Sequence, residues 1–587
     1  MRARRAVVVV VVSLTLAALA AARARAAFPA PATSKEAMAA TAHPAATQAA
    51  IDVLDAGGNA VDAAVAAAFA ISVVEPFSAG IGGGGFAVVH LEPRDGKPGA
   101  EKALDFREVA PKAATRDMYV DAATGKVRAG ASVDGHLSVA VPGTVAGLFE
   151  LHHALGKLPW RRVLKPAIDL ARDGYLVSDH FVAAFEWRKA ALERSAASRA
   201  VFMKHDKVGA EIAFEAGDRI KQRDLARTLK EIAADPRSFY EGRVGKAIDA
   251  EMKSGGGLVT LEDLKAYRPQ WREPVCGPYE EIVLCTMPPP SSGGVHLLEI
   301  LNLMKGTDLK ALGWHHVDAI HRLVESMRIA YADRAVHLGD PAFTKVPVAE
   351  LTSLAYADLR RKEIDPLRAR KSTDVKAASP EMLAAIVAGA DKESHETSHL
   401  SVVDAQRNAV SLTFTVNYGF GSGVVVPGTG VLLNDEMDDF AAAPVVPNSY
   451  GLIGGEANSV QPGKIPLSSM TPLVATKGGH FFLAAGSPGG STIITTVLQT
   501  VIHVVDYGMD AEAAVAAPRV HHQWMPDVVR VERFGLDDAT AHALAARGHA
   551  IAVDDEGWGN AMCIVQRDDG TLEGGADPRG EGLARGP

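Results

Sequence analysis

Residues 397–417, Thr397-Ser-His-Leu-Ser-Val-Val-Asp-Ala-Gln-Arg-Asn-Ala-Val-Ser-Leu-Thr-Phe-Thr-Val-Asn417, decide the fold. Over 397–403, Thr397, His399 and Ser401 fall on one face and Ser398, Leu400 and Val402 on the other, which is the two-residue period of a strand. A polar loop at 404–408 follows, and the alternation resumes. Val410, Leu412, Phe414 and Val416 point one way, and Ser411, Thr413, Thr415 and Asn417 the other. The pattern predicts a hairpin with one hydroxyl-rich face. A buried hydroxyl or amide without a partner costs on the order of a kcal/mol or more, so something polar is expected against that face.

Outward from the hairpin, composition narrows the class. The 587 residues are 48% hydrophobic and 22% charged, as in a large globular chain with ample core, and not a disordered one. The net charge of −9, the pI near 6.1 and the lack of a basic stripe interleaved with aromatics exclude a nucleic-acid binder and favour a small-molecule substrate. Three cysteines are too few for a disulfide scaffold. Cys276 and Cys285 flank GPYEEIVL and either pair across a hairpin in an oxidising compartment or remain buried thiols. Arg2, Arg4 and Arg5 precede an apolar stretch at 6–22 and an Ala24-Arg25-Ala26 cleavage signal, so residues 1–26 read as an export leader. An uncleaved anchor ranks second, because the stretch is at the short limit for a span. The expected location is periplasmic or secreted, with no stable membrane association.

The remaining pattern is mixed. Helices are predicted over 35–56, 60–74, 160–173, 223–235, 316–340 and 492–505, and strands over 86–90, 103–106 and 281–287. The four consecutive glycines of GIGGGGF, Gly82 to Gly85, permit close backbone approach or positive φ, but no GKS or GKT follows, so they form no phosphate loop. Pro288-Pro289-Pro290-Ser291-Ser292 reads equally as a stiff turn or as a wall of a site. His315, His316, His321, His521 and His522 lack metal-ligand spacing and read as structural.

Several blocks carry a resemblance: ETSHLSVVD, TFTVN and LLNDEMDDF around the hairpin, and GGNAVDAAVA, GIGGGGF, DFREVAP, PPPSSGG, PLSSMTP, GSPGGS and PRVHHQW on both sides of it. Together they resemble the γ-glutamyltransferases (glutathione hydrolases) of bacterial type over nearly the whole chain after the leader. The resemblance implies an α+β fold, the Ntn-hydrolase αββα sandwich of two stacked antiparallel sheets between helical layers. It also implies a precursor that cuts itself between Glu396 and Thr397 into a large subunit, 27–396, and a small subunit, 397–587, forming a heterodimer. Thr397 would then be the nucleophile. An N-terminal threonine carries its own base in the freed α-amine, which titrates at about 7.7–8.0 whereas lysine sits near about 10.4. Taken alone, Thr397 is an ordinary strand threonine, and only its setting reverses that reading.

Residue by residue, the resemblance implies that Thr415 hydrogen-bonds the nucleophile and that Gly489 and Gly490 form an oxyanion hole at a helix start. Arg107 would fork onto the α-carboxylate of a γ-glutamyl group beside Ser468 and Ser469. Asp439, with Glu436 and Asn417, would take its α-ammonium, and Tyr450 would belong to a lid between Phe440 and Ser459. The implied activity is γ-glutamyl transfer or hydrolysis on glutathione and other γ-glutamyl compounds, with water or an amino acid or peptide as acceptor and no metal or organic cofactor. Three alternatives stand beside it: a glutaryl, cephalosporin-type acylase of the same fold, an inactive exported binding homologue, and an exported structural or adhesion protein. The acylase substrate lacks an α-ammonium, which Asp439 argues against. Ala79 and Ala441 stand where the family commonly has serine, and neither touches a proposed catalytic group.

Overall fold

The computed structural model describes residues 30–94, 96–375, 397–443 and 446–587. The leader and Glu396 lie outside them. Two seven-stranded, wholly antiparallel sheets dominate. The first runs, in spatial order, Ala32–Ser34, Leu572–Ala576, Met562–Gln566, His480–Gly486, Leu473–Lys477, Ile282–Thr286 and Val275–Tyr279. The second runs Leu583–Arg585, Met38–Thr41, Ser398–Val403, Ala409–Thr415, Gly84–Leu91, Ala100–Phe106 and Gln270–Arg272.

The hairpin is the middle of the second sheet. Leu400 pairs with Leu412 and His399 with Thr413, so the two apolar rows share a face and the two polar rows share the other. Leu400, Val402, Val410, Leu412 and Phe414 pack into one core with the helices Pro44–Asp55, Ala60–Val74 and Thr144–Leu155. The polar face is turned to the first sheet. There Ser411 Oγ donates to the Ala485 carbonyl at 3.0 Å and accepts from the Leu473 N–H at 2.9 Å, while His399 bonds Thr413 at 2.8 Å and Ser401 at 3.1 Å. The polar partner expected from the sequence is thus the opposite sheet together with cross-strand hydroxyls. Burial pushes the His399 imidazole down to about 3, so it acts as a neutral bridge.

On the far side of the first sheet lie the helices Gly293–Met304, Val317–His337 and Ile493–Val505, which share a second core with it. The layers are therefore helix, sheet, sheet, helix. Helix Ala60–Val74 is buried all round, starts on an Asn59–Asp62 capping box and agrees with the sequence reading.

Two readings need correction. Residues 35–56 are not one helix: Met38–Thr41 is a strand, and the helix begins at Pro44 behind the His43 cap. A proline disfavours helical geometry in the residue before it and suits a first helical position. Likewise 160–173 is two helices, Trp160–Val163 and Lys165–Asp173, the second again with proline in its first turn. Cys276 and Cys285 face each other in the hairpin and are joined by a disulfide, while Cys563 is buried and free. Among the described residues no helix is long and apolar enough to cross a membrane.

Candidate active site

Ten of the eleven residues singled out from the sequence line one pocket: Arg107, Thr397, Thr415, Asn417, Glu436, Asp439, Tyr450, Ser468, Ser469 and Gly490. Gly489, the eleventh, adjoins Gly490. The second sheet supplies the floor. Thr397 stands at the head of Ser398–Val403, Thr415 ends the neighbouring strand, and their hydroxyl oxygens are 3.4 Å apart. Thr415 Oγ1 also accepts from the Asn417 N–H at 2.8 Å, holding Asn417 at φ 77°, and that turn swings its amide toward the pocket. The glycine run is a matter of close approach, since none of Gly82, Gly83, Gly84 and Gly85 has positive φ. A Cβ on Gly83 would collide with the Thr415 carbonyl, so only glycine lets this backbone lie against the strand end that carries the site.

Acidic groups gather on the turn after the hairpin, in the short helix Glu436–Asp439. Arg107, at the exit of strand Ala100–Phe106, pairs with Glu436 and Asp439, and Glu108 lies 3.6 Å from it. The sequence reading assigned Arg107 to the α-carboxylate and the two acids to the α-ammonium at one end of a ligand, and here Arg107 contacts both acids directly. One guanidinium cannot neutralise three buried carboxyls. Burial raises Glu436 well above its ordinary range, opposed by Arg107, and it raises Asp439 in the same way. Burial likewise raises Glu108 to about 7, again against Arg107. Part of this cluster therefore carries protons at neutral pH.

The opposite wall is the Ser468–Ser469 loop, where hydrogen-bond direction is informative. Ser468 Oγ accepts from the Met470 N–H at 3.0 Å, and Ser469 Oγ accepts from Arg334 Nη2 at 3.3 Å. A hydroxyl has one proton, so each serine keeps it for donation elsewhere. The undecided Pro288–Ser292 segment proves to be the support of this loop: Ser291 Oγ donates to the Met470 carbonyl at 2.6 Å and Ser292 Oγ to the Ser468 carbonyl at 2.8 Å.

Tyr450 covers the pocket. Its hydroxyl donates to Asn417 Oδ1 at 2.6 Å, and its ring leaves no room for a Cβ on Gly490. Gly489 and Gly490 both have positive φ, 133° and 54°, immediately before helix Ile493–Val505. Thr397 also borders a larger cavity of about 550 Å³, lined by Phe77, Trp187, Trp558 and Asn560 together with the charged Glu556, Arg579 and Glu581. Sequence reasoning missed Glu108 and Arg334. Glu108 had a signal in its place next to Arg107, and Arg334 had none.

A threonine heading a central strand of two stacked antiparallel sheets, between helical layers and beside a polar pocket, defines an αββα Ntn hydrolase. The chain belongs to the γ-glutamyltranspeptidase family, whose model, described as Gamma-glutamyltranspeptidase, matches residues 46–586. It is 43% identical to the glutathione hydrolase proenzyme of Escherichia coli strain K12, over 93% of this chain and 91% of that one. It is 38% identical to the acylase ACY 1 proenzyme of Pseudomonas sp. strain SE83, over 94% of this chain and 93% of that one. Among solved structures, the cephalosporin acylase of Bacillus halodurans is 30% identical with a TM-score of 0.81, covering 96% of this chain and 98% of that one. The γ-glutamyltranspeptidase of Helicobacter pylori is 41% identical with a TM-score of 0.54, covering 57% and 93%.

Proposed function

We propose that this protein is an exported γ-glutamyltransferase and glutathione hydrolase that cuts its own chain between Glu396 and Thr397 and then uses Thr397 as its nucleophile. The observation that carries the reading is the pocket that joins Thr397 to Arg107, Asp439 and the Ser468–Ser469 hydroxyls. A γ-glutamyl donor presents an α-ammonium and an α-carboxylate at the end remote from the scissile amide. Asp439 and Glu436 suit the first, and Arg107 with the two serine hydroxyls suits the second. The donor would enter between Arg107 and the acids, exchanging their mutual contacts for its own two charges.

In the reaction the freed α-amine of Thr397 takes the Oγ proton as Oγ adds to the γ-carbonyl carbon. The Gly489 and Gly490 N–H groups receive the developing oxyanion, and Thr415 holds the nucleophile's oxygen. The amine leaves with the transferred proton, and Thr397 keeps a γ-glutamyl ester. Water or an acceptor amine then attacks the ester, giving its proton back through the same base. The larger cavity that Thr397 borders suits the leaving amine and then the acceptor, an amino acid or peptide. The composition and leader favour a periplasmic or secreted enzyme.

The second reading, a glutaryl acylase, is favoured by the likeness to cephalosporin acylase. A glutaryl donor carries the remote carboxylate but no ammonium, so Asp439 separates the two. Asp439→Asn, assayed on matched γ-glutamyl and glutaryl anilides, should lose about 10- to 1000-fold in kcat/KM on the γ-glutamyl compound, shifting selectivity toward the glutaryl one. An unchanged ratio makes Asp439 a structural turn residue and removes the ammonium site.

A further inference from the structure

Among the described residues five arginines are buried: Arg107, Arg188, Arg328, Arg334 and Arg519. Four have a carboxylate in contact, namely Glu436 and Asp439 for Arg107, Asp134 for Arg188, Glu325 and Asp527 for Arg328, and Asp577 for Arg519. Arg334, 5% exposed, is in ion-pair contact with none of the described residues. Its donors go to two neutral hydroxyls, Ser292 Oγ at 3.1 Å and Ser469 Oγ at 3.3 Å. Burial pulls its guanidinium down to about 10, with Tyr331 and Asp439 opposing, so it stays charged at neutral pH. A buried cation with no carboxylate in contact is costly, and such a group beside a ligand pocket marks a place where an anion can come into contact with the charge.

The position fits. Arg334 lies in the last turn of helix Val317–His337, behind the serine loop. It holds Ser292, the residue before helix Gly293–Met304, and Ser469 at once, tying the proline turn to the pocket wall. Because Ser469 Oγ accepts from Arg334, its own proton is directed away from that arginine. The pocket that Ser469 lines is where that proton can be donated.

We infer that Arg334 is a positioning residue for the donor's α-carboxylate: it turns the Ser469 hydroxyl toward the carboxylate and supplies, from behind, the positive charge that Arg107 shares with Glu436 and Asp439. The inference rests on the γ-glutamyl reading and adds to it a second cation acting through a serine. It also accounts for the bond from a buried cation to the back of the serine loop.

The test uses the full chain and two ligands, L-glutamate and its α-carboxamide analogue, with binding measured by calorimetry. Donor kinetics on a γ-glutamyl anilide run in parallel. Wild type should prefer the carboxylate. Arg334→Gln should cut that preference by about tenfold or more, raising KM for the anilide far more than it lowers kcat. Arg334→Lys should restore part of the preference, and Arg334→Gln should cost less once Ser469→Ala is present, because the part that acts through the shared hydrogen bond is already gone and only the charge from behind is left to lose. If Arg334→Gln does not fold, Arg334→Lys and Ser292→Ala, which frees one arm of the arginine, each still carry the comparison with a smaller loss. Variants that fold and keep the wild-type preference, or that weaken both ligands equally, overturn the role of Arg334. A wild type that does not discriminate between the ligands overturns instead the reading on which it rests.

Discussion

Glu108 shows how a single residue links the site to the stability of the whole. It is fully buried between Arg107, Glu436 and the glycine run, and a Cβ on Gly84 would strike its carboxyl. Unfolded, it ionises near 4.5, whereas in the fold burial raises it to about 7, against the pull of Arg107. The folded state then holds a proton that the unfolded state has released. This group's contribution to stability is fully present below the unfolded value and is lost as pH rises through the folded one. Glu108→Gln keeps the shape and removes the titration. Its Tm relative to wild type should therefore climb between about pH 4.5 and pH 7.5 and level off at either end. A difference that stays flat across that window would show that Glu108 is ionised throughout and that Arg107 alone governs it.

At the scale of elements, the segment that carries Tyr450 is tied to the acidic turn it covers. Asn448 Nδ2 donates to Asp439 Oδ1 at 3.3 Å, the Ser449 N–H donates to Asp438 at 3.0 Å, and Asn458 Nδ2 donates to the Asp439 carbonyl at 2.7 Å. Tyr450→Phe deletes the bonds to Asn417, worth about 1 kcal/mol, and loosens the cover where it meets the nucleophile's strand. With an amine acceptor present, the share of donor lost to water should rise about two- to fivefold, which product analysis measures directly. An unchanged share would mean that the segment is a fixed wall. The central hairpin and helix Ala60–Val74 were legible because their apolar periods of two and of a fully apolar run are local properties. Strand Met38–Thr41 was not: Met38, Ala39 and Ala40 are all buried, and an alanine-rich run buried on both faces has no period to read. The site was legible only through its motifs. Arg334 reaches Ser469 across 135 residues from a helix whose pattern says core, and no local signal announces such a contact.

The whole molecule is woven across the proposed cut. Of the strand pairings in the two sheets, five join a strand before residue 397 to one after it: Ala32–Ser34 with Leu572–Ala576, Ile282–Thr286 with Leu473–Lys477, Met38–Thr41 with both Ser398–Val403 and Leu583–Arg585, and Gly84–Leu91 with Ala409–Thr415. Both cores mix the two parts as well, with Ala63 and Phe69 against Leu400 and Phe414 in one, and Leu284 and Leu297 against Leu483 and Val497 in the other. A backbone break at 396–397 removes one covalent bond and none of these contacts, so the two pieces have no separate fold to fall back on. The purified protein should run as two bands on a denaturing gel, the smaller beginning Thr-Ser-His-Leu, yet elute as one species under native conditions and melt in one cooperative transition. Thr397→Ala should stay a single chain with a nearly unchanged transition and no activity, since the nucleophile that it removes is needed both for the cut and for the acyl ester. Pieces that part without denaturant would contradict the interwoven architecture, and full activity in an uncut chain would remove the α-amine of Thr397 as the base.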